Sequence, residues 1–270
     1  MAFKLGPRAI SAGYRLAAFD SIESTNAEAL LRARGGERGP VWFVTSDQTA
    51  GRGRRHRPWI APRGNLASSV LETMETAPAI AATLGFAAGL ALETALRKVS
   101  LAAASSPGAA DALRFRLKWP NDVLVGQKKL AGILLEAEAL GAGQLAIVVG
   151  IGTNVVAAPE KTPVPATSLK TLEINIGAEE LFAALSDSWV EFYALWDRGR
   201  GFGEIRRLWL ERAAGVGQPV TVETAGATLA GTFETIDETG SMMVKTASGD
   251  RVPVSAGDVY FGSAASAGAA

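Results

Sequence analysis

Residues 113–150 read LRFRLKWPNDVLVGQKKLAGILLEAEALGAGQLAIVVG. From Leu113 to Lys118 the residues alternate Leu, Arg, Phe, Arg, Leu, Lys, the period-two pattern of a half-buried strand. Trp119-Pro120-Asn121-Asp122 then turns the chain, with proline at the favoured second position. Val123 to Val125 is a second strand, Gly126-Gln127 a tight turn, Lys129 to Glu136 a third strand and Gln144 to Gly150 a fourth. Connections of a few residues join antiparallel strands, whereas parallel neighbours need crossovers of a dozen or more. The stretch is therefore an antiparallel meander, which argues against the parallel sheet of a dinucleotide-binding domain. Gly150-Ile151-Gly152-Thr153-Asn154 closes it. Its two glycines lack a third, and Val155 opens no helix, so this is not a dinucleotide fingerprint.

Upstream lies Gln48 to Leu71, QTAGRGRRHRPWIAPRGNLASSVL, with Arg52, Arg54, Arg55, Arg57 and Arg63 and no acidic residue between Asp47 and Glu72. Apolar strands flank it at Val41 to Ser46 and Leu66 to Leu71. Gly51 and Gly53 are expected to supply positive φ and close approach to a ligand. Arginines without local acidic partners repel one another. The loop should be mobile when empty and ordered when an anion fills it. Earlier still, residues 15–23 read as a strand entering a turn, and Thr25 with Glu28 reads as a capping box that starts a helix. A helix N-terminus there presents free N–H groups and hydroxyls to a polar ligand.

Pro78 opens a further helix whose periodicity runs from Ile80 to Val99, and residues 100–110 are a small-residue loop. Residues 157–168 form a proline-rich loop, and Ala178 to Trp196 and Phe202 to Arg212 are amphipathic helices with core aromatics. After Gly215 the chain changes to short β-prone runs separated by AGA, DETG and ASGD turns, a small β-barrel-like domain over 217–261 with no chemical motif of its own. The tail GSAASAGAA is low-complexity and expected to be disordered.

Composition narrows the function classes. The chain has 270 residues, 48% hydrophobic, with 27 Lys+Arg against 27 Asp+Glu, so nothing draws it as a whole to nucleic acid or an anionic membrane. With no cysteine and one histidine, disulfides, thiolate zinc sites, a cysteine nucleophile and multi-histidine metal sites are excluded. The N-terminus lacks the apolar core of a signal peptide, and the apolar run near residues 80–92 ends at Glu93, so a buried helix and a cytoplasmic protein are expected.

The motifs suit activation of a carboxylate by a nucleotide. Arginines and one lysine can neutralise a triphosphate and the phosphoryl group in transfer. Asp122 can hold Mg²⁺ together with phosphate oxygens. Trp59 can stack on adenine. A carboxylate is already a nucleophile, so proximity does most of the chemistry and His56 reads as an exposed loop side chain.

STNAEA (24–29), GRGRRHRPW (51–59), KWPND (118–122), KKLAGILLE (128–136) and GIGTNV (150–155) together resemble the motif set of biotin–protein ligases. The likeness covers roughly residues 15–261. It implies an α+β fold: a mixed β-sheet flanked by helices, similar to class II aminoacyl-tRNA synthetases, plus a C-terminal SH3-like barrel. The corresponding division is a catalytic domain at 1–214, the barrel at 215–261 and a tail at 262–270.

The resemblance implies a two-step reaction. Biotin and ATP, with Mg²⁺, give biotinyl-5′-AMP, and the biotinyl group passes to one lysine of a biotin carboxyl carrier protein. By motif, Ser24, Thr25, Asn26 and Gln48 look like the ureido end of the biotin pocket. Arg52, Gly53 and Arg54 resemble the loop that closes on carboxylate and phosphate, and Gly132 a backbone contact to biotin. Arg54, Arg57, Trp59, Asn121, Asp122 and Asn154 fall to the ATP side. Lys129, Arg52 and Asp122 form the implied catalytic set, with Asp122 the candidate Mg²⁺ ligand. Period-two alternation puts Lys128 and Lys129 on opposite faces, and the motif register chooses Lys129. Lipoate–protein ligase is the rival reading, disfavoured by the pairing of GRGRR with KWPND. Only 23 residues precede Ser24, too few for the winged helix-turn-helix of bifunctional members, so repression of transcription is not expected. A homodimer is left open.

Overall fold

The computed structural model describes residues 2–103, 114–160, 162, 164–224 and 226–261. Residues 100–103 of the expected loop 100–110 are helical instead; the rest of that loop, the strand start at Leu113, the His56 side chain and the tail 262–270 lie outside the described residues.

Seven strands form the main sheet: β1 (Arg15–Phe19), β2 (Val41–Thr45), β3 (Leu66–Glu75), β4 (Phe115–Lys118), β5 (Asp122–Val125), β6 (Lys128–Gly141) and β7 (Gln144–Thr153). Their order is β1-β2-β3-β7-β6-β5-β4. The expected meander is present, since β4, β5, β6 and β7 pair antiparallel in sequence. The sheet is mixed because β1 pairs parallel to β2; after a short N-terminal helix, α1 (Pro7–Ser11), the crossover between these strands is α2 (Thr25–Arg34).

Strand β2, VWFVT, is buried at every position, which is why it reads as a continuous apolar run. Val41 and Phe43 face a small core with Ala29, Leu30 and Ala33 of α2, while Trp42 and Val44 face the main core. On the main-core side lie α3 (Pro78–Ala82), α4 (Leu84–Ala103), α5 (Ala178–Trp196) and α6 (Phe202–Glu211). The segment Pro78–Ala103 is long and apolar enough to cross a membrane, but 72% of its most apolar window is buried inside the protein, packed against α5. It is the core helix expected from Ile80 to Val99, interrupted at Thr83, whose hydroxyl donates to Ile80 O at 2.6 Å and accepts from Trp196 Nε1 at 2.8 Å.

The start of α2 differs from expectation by one residue. Ser24, extended at φ −154° and ψ 123°, is the N-cap and accepts from the Ala27 N–H, while Thr25 is the first helical residue. No capping box forms. Glu28 instead pairs with Arg32 at 2.7 Å, and the Thr25 hydroxyl is engaged by Gln48 and Ser69. A side chain tied to two other strands and loops is not free to cap its own helix.

A second sheet, antiparallel throughout, has the order β11-β10-β9-β8-β12, from β8 (Pro219–Glu223), β9 (Thr228–Ile236), β10 (Met242–Lys245), β11 (Arg251–Val254) and β12 (Asp258–Phe261). It docks on the first unit where Trp119 Nε1 donates to Gly240 O at 3.0 Å. Phe86, in edge contact with Phe202 and Trp209, lies against Gly240 at the same place.

Candidate active site

The C-terminal ends of β4 and β7, the starts of β5 and β6, the N-terminus of α2, the arginine loop and the turn before β12 enclose one cleft of about 270 Å³. Ser24, Thr25, Asn26, Gln48, Arg52, Gly53, Arg54, Arg57, Trp59, Asn121, Asp122, Lys129, Gly132 and Asn154 all line it. The structure thus brings every motif-derived residue to one place.

At one end, α2 presents a buried polar network. Gln48 Oε1 accepts from the Thr25 N–H at 3.0 Å and from its hydroxyl at 3.2 Å. Ser69 Oγ lies 2.7 Å from Thr25 Oγ1 and 2.5 Å from Asn26 Oδ1. Asn26 Nδ2 donates to Glu136 Oε2 at 2.7 Å, and the same carboxylate pairs with Arg52 at 3.3 Å. Charged and neutral groups hold each other in one arrangement here, so the polar face offered to a ligand is preorganised. The floor is bare backbone. A Cβ on Gly150 would sit 2.2 Å from Asn26 Oδ1, and one on Gly152 would sit 2.5 Å from Trp59 Nε1. The two glycines therefore admit Asn26 and Trp59 themselves.

Lys129 points into the cleft and Lys128 is exposed, as alternation predicts. The Lys129 ammonium lies 2.6 Å from Asp122 Oδ1 and 5.4 Å from the centre of the Trp59 ring. Asp122 Oδ1 is buried and accepts no hydrogen bond, so the contact is between charges and not a directed bond. Asn121 is spent within the protein, its amide donating to Ile133 O at 2.9 Å and its carbonyl accepting from Arg54 at 3.2 Å. Asn154 donates to Thr167 O at 3.1 Å, but its Oδ1 is buried without a partner, a free acceptor at the cleft edge.

The arginine loop departs from expectation in two ways. It is a small hairpin, with Gly53 N–H on Arg57 O at 2.7 Å and Trp59 N–H on Gly51 O at 2.9 Å. Its left-handed residue is Arg55, at φ 55° and ψ 37°, and neither Gly51 nor Gly53 takes a positive φ. Nor do the arginines lack acidic partners. Arg52 meets Glu136, Arg55 and Arg57 share Asp258 at 2.9 and 2.5 Å, and Arg63 lies 4.0 Å from Asp47. Three of those four pairs rest on Glu136 and Asp258, two residues from remote strands that a local charge count cannot see.

Asp258 also brings the chain after Gly215, read from sequence as carrying no chemical motif, to the cleft. Gly257, Asp258, Val259 and Tyr260 line the cleft, and Gly257 O accepts from Arg54 at 3.4 Å. Exposed ion pairs of this kind are worth about 0–1 kcal/mol each. They hold the loop only loosely. Asp258→Ala should change stability by less than about 1 kcal/mol per lost pair and speed tryptic cleavage between Arg52 and Arg57. An unchanged cleavage rate would show that Asp258 does not tether the loop.

The sequence reading also passed over Glu136, although it stands inside KKLAGILLE, and Lys118, although it opens KWPND. Glu136 was legible only through its partners, and Lys118 through its pairing opposite Asp122.

Comparison with known proteins gives the family. The profile of the biotin/lipoate A/B protein ligase family matches residues 17–154, and that of the biotin protein ligase C-terminal domain, SH3-like, matches residues 215–262. The chain belongs to the biotin/lipoate A/B protein ligase family. Within it the similarity is to biotin enzymes. A biotin–[acetyl-CoA-carboxylase] ligase of Paracoccus denitrificans is 38% identical over 246 residues, covering 89% of this chain and 98% of that relative. One of Mycobacterium tuberculosis is 34% identical over 87% of this chain and 85% of its own. The structure of biotin protein ligase from Aquifex aeolicus in complex with biotin and ATP shares the fold, with a TM-score of 0.72 at 23% identity over 92% of this chain and 99% of that one.

Proposed function

We infer that the chain is a biotin–protein ligase that forms biotinyl-5′-AMP from biotin and ATP and passes the biotinyl group to a lysine of a biotin carboxyl carrier protein. The observation that carries this is the meeting, in one cleft, of the α2 start, the loop arginines, Lys129 and Asp122. Biotin lies along the glycine floor, its ureido end toward Ser24, Thr25, Asn26 and Gln48. Its carboxylate faces Arg52, Gly53 and Lys129. The carboxylate attacks the α-phosphorus of ATP and pyrophosphate departs. The carrier amine then attacks the acyl carbon and AMP departs.

Lys129 and Arg54 stabilise charge on the transferring phosphoryl group, the largest catalytic contribution such a site can make. Asn154 Oδ1, an unpaired acceptor, suits an adenine amino or ribose hydroxyl donor. The buried, hydrogen-bond-free Asp122 Oδ1 fits a Mg²⁺ ion held together with phosphate oxygens, the usual arrangement for this ion, and the ion would supply charge neutralisation. We divide the chain into a catalytic unit at 1–214 and a C-terminal unit at 215–261 and assign it to the cytoplasm. The lipoate reading is set aside because the relatives above are named for biotin.

The test is transfer. With biotin, MgATP and an apo carrier domain of acetyl-CoA carboxylase, one biotinyl group should appear on one carrier lysine, read by mass. A carrier that acquires lipoyl but no biotinyl group would overturn the assignment.

A further inference from the structure

Strand β6 turns two carboxylates toward α2, because Glu136 and Glu138 stand two residues apart and so share a sheet face. Glu138 pairs with the exposed Arg34 in the last turn of α2 at 2.7 Å, and neither of those two residues lines the cleft. Glu136 is placed differently. Its Oε2 accepts from Asn26 Nδ2 at 2.7 Å and pairs with Arg52 at 3.3 Å. Asn26 and Arg52 both line the cleft, whereas Glu136 does not. One carboxylate thus stands behind the cleft wall and grips two of the groups that form it.

Each grip removes a freedom. An asparagine amide can present either its NH₂ or its carbonyl to one side, and its partners decide which. Asn26 Nδ2 is held by Glu136 and by Leu134 O at 3.3 Å, which leaves Oδ1 facing Ser69 Oγ at 2.5 Å. Asn26 is only 4% exposed, so without Glu136 a buried donor would lose its charged acceptor. The second grip acts on the arginine hairpin. Arg52 stands at its entry and is tied to β6, while Arg55 and Arg57 are tied to Asp258 on β12. Among the described residues Glu136 makes no hydrogen bond or ion pair to Asn121, Asp122 or Asn154, which bond instead to Ile133, Lys129 and Thr167.

We propose that Glu136 is the positioning residue for biotin, fixing the Asn26 amide and the Arg52 end of the loop before biotin arrives. This rests on the biotin–protein ligase reading above, which gives Asn26 to the ureido end of biotin and Arg52 to its carboxylate end. One side chain outside the ligand's place then holds the groups at both ends of it. Order that biotin would otherwise have to impose is already present, and preorganisation of this kind raises affinity. The effect falls on biotin and spares ATP, whose contacts lie elsewhere.

The experiment compares wild type with three variants. Glu136→Leu removes both grips. Glu136→Gln keeps a neutral acceptor for Asn26 and loses the charge facing Arg52. Glu138→Gln breaks the neighbouring helix–sheet ion pair and controls for stability alone. Biotin binding is read by calorimetry, KM for biotin and for ATP by pyrophosphate exchange, and the loop by tryptic cleavage between Arg52 and Arg57 in the empty enzyme. Glu136→Leu should weaken biotin binding about tenfold or more, as for a lost hydrogen bond to a charged group, and raise the biotin KM in step. Glu136→Gln should weaken it about fivefold, since a neutral acceptor replaces a charged one. Both should speed cleavage, the ATP KM should stay within about twofold, and Glu138→Gln should match wild type within about twofold throughout. Should Glu136→Leu not fold, Glu136→Gln decides alone. Biotin binding within twofold of wild type in the Glu136 variants, an equal loss in Glu138→Gln, or an ATP KM that rises in step with the biotin KM overturns the proposal. Wild type that binds no biotin overturns the ligase reading, and the proposal with it.

Discussion

Lys129→Ala should slow biotinyl-5′-AMP formation by about 30- to 1000-fold, corresponding to roughly 2–4 kcal/mol of lost transition-state stabilisation. Lys128→Ala should slow it by less than about twofold, as for other exposed surface changes. The contrast depends on register, and the register is pinned. The Lys129 N–H donates to Pro165 O at 2.7 Å, and Thr167 N–H donates back to Lys129 O at 2.9 Å. With the backbone held on that side, β6 cannot slip by one residue without breaking this bridge and the pairing with β5 and β7. Lys129 is then fixed in the cleft against Asp122 and Trp59. Each of those contacts can yield to a phosphoryl oxygen that carries more charge in the transition state than before it. Equal losses in the two variants, measured in single turnover, would show that the register or the role is wrong.

Glu72→Gln should change how stability depends on pH. Glu72, on β3, is 5% exposed, accepts from the Tyr14 hydroxyl at 2.7 Å, and lies 3.4 Å from Trp189 Nε1. Burial pushes its carboxyl from 4.5 to about 7, against the hydrogen bonds from Tyr14, Trp189 and Tyr193 that favour the charged form. The folded carboxyl therefore holds its proton where the unfolded one has released it. Stability from this group is complete below the unfolded value of 4.5 and is lost as pH rises through about 7. The loss between pH 5 and pH 8 is about 2–3 kcal/mol, or roughly 5–10 °C in Tm for a chain of this size. Glutamine cannot ionise. The variant's Tm relative to wild type should rise by about that amount between pH 5 and pH 8. Tyr14 and Tyr193 stay neutral donors over the range, since burial and the Glu72 charge push both hydroxyls upward. A relative Tm independent of pH would mean that Glu72 is solvated in the native state.

The local parts of this architecture were legible because local rules govern them. The β4–β7 meander follows from short connections and alternation, and the core helix from period and composition. What escaped depends on tertiary pairing. Whether β1 runs parallel to β2 cannot be read from either strand. The capping of α2 moved by one residue because Gln48 and Ser69, far along the chain, claim the Thr25 side chain. The arginine loop looked unpaired because Glu136 and Asp258 lie 84 and 203 residues from their partners Arg52 and Arg55. Lys118 carried the weakest signal, as the alternation of β4 sets its side but not what stands across from it.

Exchange of labelled pyrophosphate into ATP, run in parallel with biotin and with lipoate, tests the central assignment most directly. Exchange should require biotin and magnesium, stay at background with lipoate, and fall at least 30-fold in Lys129→Ala, the lower end of the range expected for a lost phosphate contact. Exchange supported by lipoate and not by biotin would contradict the assignment.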